Sequence, residues 1–197
     1  NLPLRPFTLV GATTRSGLLS SPMRDRFGLH CRLELYTEKE IKEILKRSAR
    51  ILKVEMTEDA AGILSSRCRG TPRIANRVLR RCRDVAQVRG NGIIDKTAAE
   101  KTLEMLGIDA DGLDPMDRKI LSIMIDKFNG RPVGINTLGA ALNEEQNTLE
   151  EVYEPYLIQK GFLSRTPRGR MVTPAAYRKL ERPFPKNQQY EQTEMEF

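Results

Sequence analysis

The sequence predicts a mainly α-helical chain in three units, on three observations. Apolar stripes at helical spacing recur between residues 37 and 107, each opened by a capping signal. Residues 114–182 read as three helices followed by a β-hairpin. Strand-like apolar runs outside that hairpin are confined to residues 7–10 and 29–35. With 39% hydrophobic and 30% charged residues, the 197-residue chain is expected to fold into compact domains rather than stay disordered.

Phe7-Thr8-Leu9-Val10 reads as a buried strand that ends on Gly11-Ala12-Thr13-Thr14-Arg15. Ser21-Pro22-Met23-Arg24-Asp25-Arg26-Phe27-Gly28 reads as a loop with a short helix that presents Arg24 and Arg26. Leu29 to Leu35 reads as a second strand, closing on Tyr36. Two strands and a loop cannot make a stable sheet alone. Residues 1–36, which begin at Asn1 rather than Met, are therefore expected to be the end of a larger α/β core.

Residues 37–107 read as a four-helix bundle. Thr37-Glu38-Lys39-Glu40 has the form of a capping box, followed by the stripe Ile41, Ile44, Leu45 and Ala49. Thr57 opens a second helix with Ala61, Ile63 and Leu64. Pro72 opens a third, running to about Arg89 with Ile74, Val78, Cys82 and Val85 on one face, and Gly90-Asn91-Gly92 stops it. Asp95-Lys96-Thr97 starts a fourth, which ends near Gly107.

Asp109-Ala110-Asp111-Gly112 reads as a linker. Asp114-Pro115 then caps a helix with Ile120, Leu121, Ile123, Met124 and Ile125, and Gly134 leads into a short helix ending near Asn143. A third helix covers about Asn147 to Lys160, kinking at or tolerating Pro155. Gly161-Phe162-Leu163 begins a strand, Arg168-Gly169 turns it, and Met171-Val172-Thr173 returns. Helix, helix, helix, hairpin is the winged helix-turn-helix pattern, placed over residues 110–182, with a polar frayed tail at 183–197.

Net charge is +7, and arginine clusters within residues 67–89 and again at Arg165, Arg168 and Arg170, which points to phosphate or nucleic acid. The third helix of the winged unit is instead entered through Glu144 and Glu145 and carries Glu150, Glu151 and Glu154. Carboxylates at that density repel phosphate, so sequence-independent binding through the hairpin is expected in place of base reading by that helix. A solvated hairpin is the alternative for any single arginine. Cys31, Cys68 and Cys82 lack a Cys-x-x-Cys partner and the chain has one histidine, so free thiols in a reducing cytosol, and no metal site, are expected. His30 is read as structural, and no run approaches a membrane span.

Gly11-Ala-Thr-Thr-Arg15, Ser21-Pro-Met-Arg-Asp-Arg-Phe-Gly28 and Gly70-Thr-Pro-Arg73, in this order, resemble the nucleotide-sensing half of AAA+ ATPases, and most closely the RuvB family of bacterial Holliday junction branch migration motors. The resemblance covers residues 4–182. It implies the end of a large ATPase domain over 1–36, a four-helix lid over 37–107 and a winged-helix head. It further implies Arg26 as a finger reaching a neighbouring subunit's γ-phosphate, with Arg24 able to serve instead and an Asp25- or Glu34-paired surface arginine as the bland reading. Thr14 matches the polar sensor beside the attacking water, with Thr13 one position away. Arg73 matches the second sensor and Tyr36 a ring lining the ATP pocket, although a capping arginine and a packed hinge tyrosine would look the same in sequence. DNA contact falls on Arg165 and Arg170, with Arg168 open.

No Gly-x-x-x-x-Gly-Lys-[Ser/Thr] loop and no strand ending in paired acids occurs, so ATP and magnesium would be held by residues upstream of this sequence, and the chain alone is expected to be inactive. The resemblance implies a cytoplasmic homohexamer acting on double-stranded DNA and Holliday junctions, in company with RuvA and RuvC. Two other readings compete: a clamp-loader or origin-binding AAA+ subunit, and a non-catalytic winged-helix DNA-binding module. The second leaves the Arg26 and Arg73 strings without a purpose.

Overall fold

The computed structural model describes residues 5–13 and 16–185, and the chain divides into two compact units, 1–34 and 35–197. In the first unit, a 3-10 turn (Ser16–Leu18) precedes a one-turn helix, α1 (Ser21–Arg24). The strands expected at 7–10 and 29–35 do not form, because no neighbouring strand among the described residues pairs with them. Their apolar side chains stand in solvent, with Val10 85% and Leu33 90% exposed.

The second unit is built on two apolar cores. Four helices, α2 (Glu38–Ile51), α3 (Glu58–Arg67), α4 (Pro72–Arg89) and α5 (Lys96–Met105), enclose the first. The capping box of α2 is present: Glu40 N–H donates to Thr37 Oγ1 while Glu40 Oε2 accepts from Thr37 N–H at 2.8 Å. Ile41, Leu45, Leu64, Val78, Leu79 and Leu103 are buried together, as helical spacing requires. A short parallel bridge, Met56 to Ile94, ties the loops before α3 and α5.

The second core lies beneath α6 (Pro115–Asp126), α7 (Ile135–Leu142), the helical run α8 (Gln146–Thr148) to α9 (Glu154–Gln159), and the hairpin β1 (Leu163–Thr166) and β2 (Gly169–Val172). A final helix, α10 (Pro174–Lys179), extends the expected pattern and buries Ala176 and Tyr177 against it. Pro155 neither breaks nor merely kinks the third helix. Residues Leu149–Tyr153 widen into a π turn, and Glu154 N–H reaches back to Leu149 O. Proline has no N–H to offer the preceding turn and its ring crowds the carbonyl there, and the wider turn accommodates both.

The hairpin pairs Arg165 directly opposite Arg170, with the turn at Pro167-Arg168. Val133 adds a third strand's worth of bridge, exchanging two 2.8 Å backbone bonds with Arg170. This close passage requires Gly169, at φ +132°, because any Cβ there would collide with Val133 O.

Candidate nucleotide-sensing and DNA-binding sites

In the first unit, Ser20 O accepts from Met23 and Arg24 N–H and Ser21 O from Asp25 N–H along the short α1, and Phe27 N–H closes back on Arg24 O at 3.0 Å. Phe27 lies against Gly11, where an added Cβ would sit 3.5 Å from its ring. His30 Nε2 bonds Arg24 O at 3.1 Å, a structural contact. Arg26 emerges from this turn exposed. It pairs with neither Asp25 nor Glu34, so no ion pair among the described residues occupies it. Thr14 lies outside the described residues, and Thr13 is exposed.

The loop between α3 and α4 is tightly constrained. Arg69 and Gly70 are both left-handed, at φ +56° and +59°. Gly70 O accepts from Tyr36 N–H at 2.9 Å, and a Cβ on Gly70 would sit 2.5 Å from Tyr36 O. Only glycine permits that approach. Tyr36 and the Gly70–Arg73 loop are thus brought side by side, with the Tyr36 side chain half exposed. The Thr71 hydroxyl, well placed to cap α4, instead donates to Arg69 O at 3.1 Å, leaving the α4 N-terminus without a side-chain cap. A first turn without a side-chain cap, the helix dipole and an exposed Arg73 in that same turn form an anion-receptive end on an 18-residue helix. These residues suit the phosphate edge of a nucleotide. Among the described residues no group of three His, Cys, Asp or Glu is placed to hold a metal. Cys31, Cys68 and Cys82 are free thiols, and burial pushes Cys68 up to about 12 and Cys82 up to about 11, so both stay protonated.

The winged unit corrects the expected charge picture. Two of the carboxylates, Glu150 and Glu154, do not stand apart from the hairpin arginines; they hold them. Glu154, 3% exposed, accepts from Arg165 Nε at 2.7 Å and Nη2 at 2.9 Å, and from Arg170 Nε at 3.0 Å. Glu150, one turn earlier, accepts from Arg170 Nη2 at 2.6 Å. Burial works to raise the Glu154 carboxyl, but hydrogen bonds from Arg165 and Arg170 outweigh it and hold the group below the usual carboxylate range. Arg165 keeps 59% of its side chain exposed and Arg170 only 15%. Arg168, at the turn, is exposed. The hairpin is therefore not bare: two of its three arginines are charge-compensated and locked in position. On α4, Arg81 and Arg83 share Asp84 within the chain.

Sequence reasoning counted Arg69 among many arginines and missed its place. Its guanidinium, 9% exposed, donates to Gly112 O at 3.0 Å and to the Asp117 carboxylate, sits 3.2 Å from Asp114 Oδ2, and lies 4.7 Å over the Tyr156 ring. Those partners lie 43 to 48 residues away for the hydrogen bonds, so no local signal marks them.

Three RuvB-specific family profiles match in sequence order: the Holliday junction DNA helicase RuvB P-loop domain over residues 1–33, the RuvB AAA lid domain over 36–109 and the RuvB C-terminal winged helix domain over 110–181. The Holliday junction branch migration complex subunit RuvB of Koribacter versatilis is 57% identical over 95% of the chain, and that of Myxococcus xanthus 56% identical over 93%. The chain spans about half the length of these relatives, 52% and 54%. The Thermotoga maritima RuvB Holliday junction branch migration motor is 54% identical with a TM-score of 0.87, over 92% of this chain and 61% of that one. An AAA lid followed by a winged helix, together with identity above half across nearly the whole sequence, places the chain in one family: it belongs to the RuvB family.

Proposed function

We propose that this chain is the sensor, lid and DNA-gripping portion of an ATP-driven, hexameric motor that drives branch migration of Holliday junctions in recombination and repair. The RuvB relatives carry the branch migration activity by name, and the residues here are suited to its parts. Tyr36 and Arg73 border the nucleotide held within one subunit, with magnesium and the β- and γ-phosphates held by a phosphate loop outside this sequence. ATP hydrolysis supplies the energy; Arg73 reads the phosphate charge at the α4 N-terminus. Arg26 reaches the nucleotide of the neighbouring subunit, a contribution worth about 10³–10⁵ in rate. Thr14 orients the attacking water. The ring works with RuvA and RuvC on the junction, in the bacterial cytoplasm.

The observation that carries the reading is the hairpin. Arg165 faces Arg170 across it, both aimed by one buried carboxylate, which gives a rigid grip on backbone phosphates with no demand on sequence. Arg165 is the outer contact and Arg170 the inner one. Neither a clamp-loader subunit nor a stand-alone winged-helix module accounts for three RuvB profiles in order.

The test is duplex-DNA anisotropy on this chain over a salt series, with Arg165→Ala beside it. Sequence-independent binding lost by the variant is expected; binding that Arg165→Ala leaves intact overturns the hairpin as the grip. In the full-length ring, Arg26→Ala is expected to abolish hydrolysis while sparing ATP binding, and loss of binding as well would refute its action in trans.

A further inference from the structure

The lid and the winged helix meet at a buried charge cluster that nothing in the branch-migration reading requires. Arg69 enters it from the lid side. On the winged-helix side, Asp114 and Asp117 form the capping box of α6: Asp114 Oδ1 accepts from Met116 N–H and Asp117 N–H at 2.8 and 3.0 Å, and Asp114 N–H donates to Asp117 Oδ2 at 2.8 Å. Arg69 Nη2 therefore meets both of the carboxylates that start α6. Asp117 is fully buried, and its Oδ1 has no partner among the described residues. Burial pushes this carboxyl up to about 6, against the pull of Arg69.

The connection between the two bodies passes through the same point. Gly112, at φ +75°, is wedged so closely that a Cβ would sit 2.6 Å from Tyr156 Oη and 3.2 Å from Arg67 O. Tyr156 Oη donates to Asp111 O at 2.6 Å, and Lys179 pairs with Asp109 at 3.0 Å and with Asp111. The linker is thus bonded from α9 and α10 and is not a free tether.

Arg69 is next to Gly70, and Thr71 bonds its carbonyl, so it moves with the loop that carries Arg73. Tyr156 lies two residues from Glu154, the group that aims Arg165 and Arg170. We propose that Arg69 is a positioning residue that pins the winged helix to the Gly70–Arg73 loop, so that lid and hairpin turn as one body when Arg73 follows the nucleotide. This deepens the branch-migration reading and rests on it for the role of Arg73. Domains joined by a short linker move independently by default, unless a large hydrophobic interface restrains them. Buried Arg69, with Nη2 on two carboxylates, Nε on the Gly112 carbonyl and the guanidinium over the Tyr156 ring, supplies a restraint of its own.

The test uses this chain with spin labels at Lys101→Cys on α5 and Glu145→Cys between α7 and α8, in a Cys31→Ser background. The native sequence is expected to give one narrow distance distribution. Arg69→Met, which removes the fork and the charge, is expected to broaden it by about twofold or more at unchanged helical content, because the domains revert to independent motion. Arg69→Lys keeps the charge but not the planar fork, and is expected to broaden it less. A folded Arg69→Met variant as narrow as the native chain overturns the proposal. Should Arg69→Met fail to fold, Arg69→Lys decides: a broadened distribution supports the pin and an unchanged one overturns it. Duplex-DNA affinity, measured on the same samples, is expected to stay within twofold of native. Absence of DNA binding in native and variant alike would refute the hairpin grip instead, while the distances still decide the pin.

Discussion

Glu154 is 3% exposed and carries a full charge, which is tolerable only because Arg165 and Arg170 both donate to it. The two arginines should then separate in their effects. Arg170→Ala strips the better-buried partner from a buried carboxylate and is expected to cost about 3 kcal/mol in denaturant unfolding, together with DNA affinity. Arg165 is 59% exposed, so Arg165→Ala is expected to cost at most about 1 kcal/mol while abolishing tight DNA binding. The pH sign follows from the lowered Glu154 carboxyl. A group held below its unfolded value of 4.5 contributes stability above that pH, and loses it as pH falls through the folded value. Thermal melts between pH 6 and 3 should therefore show a steeper acid loss in the native chain than in Glu154→Gln. Gly70 is the other decisive position. Gly70→Ala places a Cβ 2.5 Å from Tyr36 O in a left-handed conformation and is expected to destabilise by about 1–3 kcal/mol, read as a lowered melting temperature.

Among the helices, those with a local start signal formed where the local signal lies. Thr37 and Asp114 cap α2 and α6 through side-chain bonds that depend on residues three positions away or fewer. Thr37→Ala is accordingly expected to cost about 1 kcal/mol, checked by urea unfolding. The strands at 7–10 and 29–35 had an equally clear apolar pattern and did not form, since a strand's hydrogen bonds go to another strand and a helix's go to itself. The π turn before Pro155 lies between these cases. Proline announces a disturbance, but its form depends on the packing that keeps Leu149 and Leu157 in the core.

Across the molecule, charge balance differs from charge count. The hairpin carries three arginines, yet Glu150 and Glu154 neutralise two of them, Arg165 and Arg170, within the fold. The salt dependence of duplex binding should then be shallow, with a log–log slope of about −1 to −2, in place of the roughly −3 that three uncompensated arginines would give. Helix starts, the two apolar cores' stripes and the family motifs were all determined by the sequence alone, because each depends on neighbours within a few residues. The partners of Arg69, the acid that aims Arg165 and Arg170, and the failure of the early strands to pair were decided only by tertiary structure. Those interactions join residues 11 to 48 positions apart, and a guanidinium's worth is set by which carboxylate the fold brings to it.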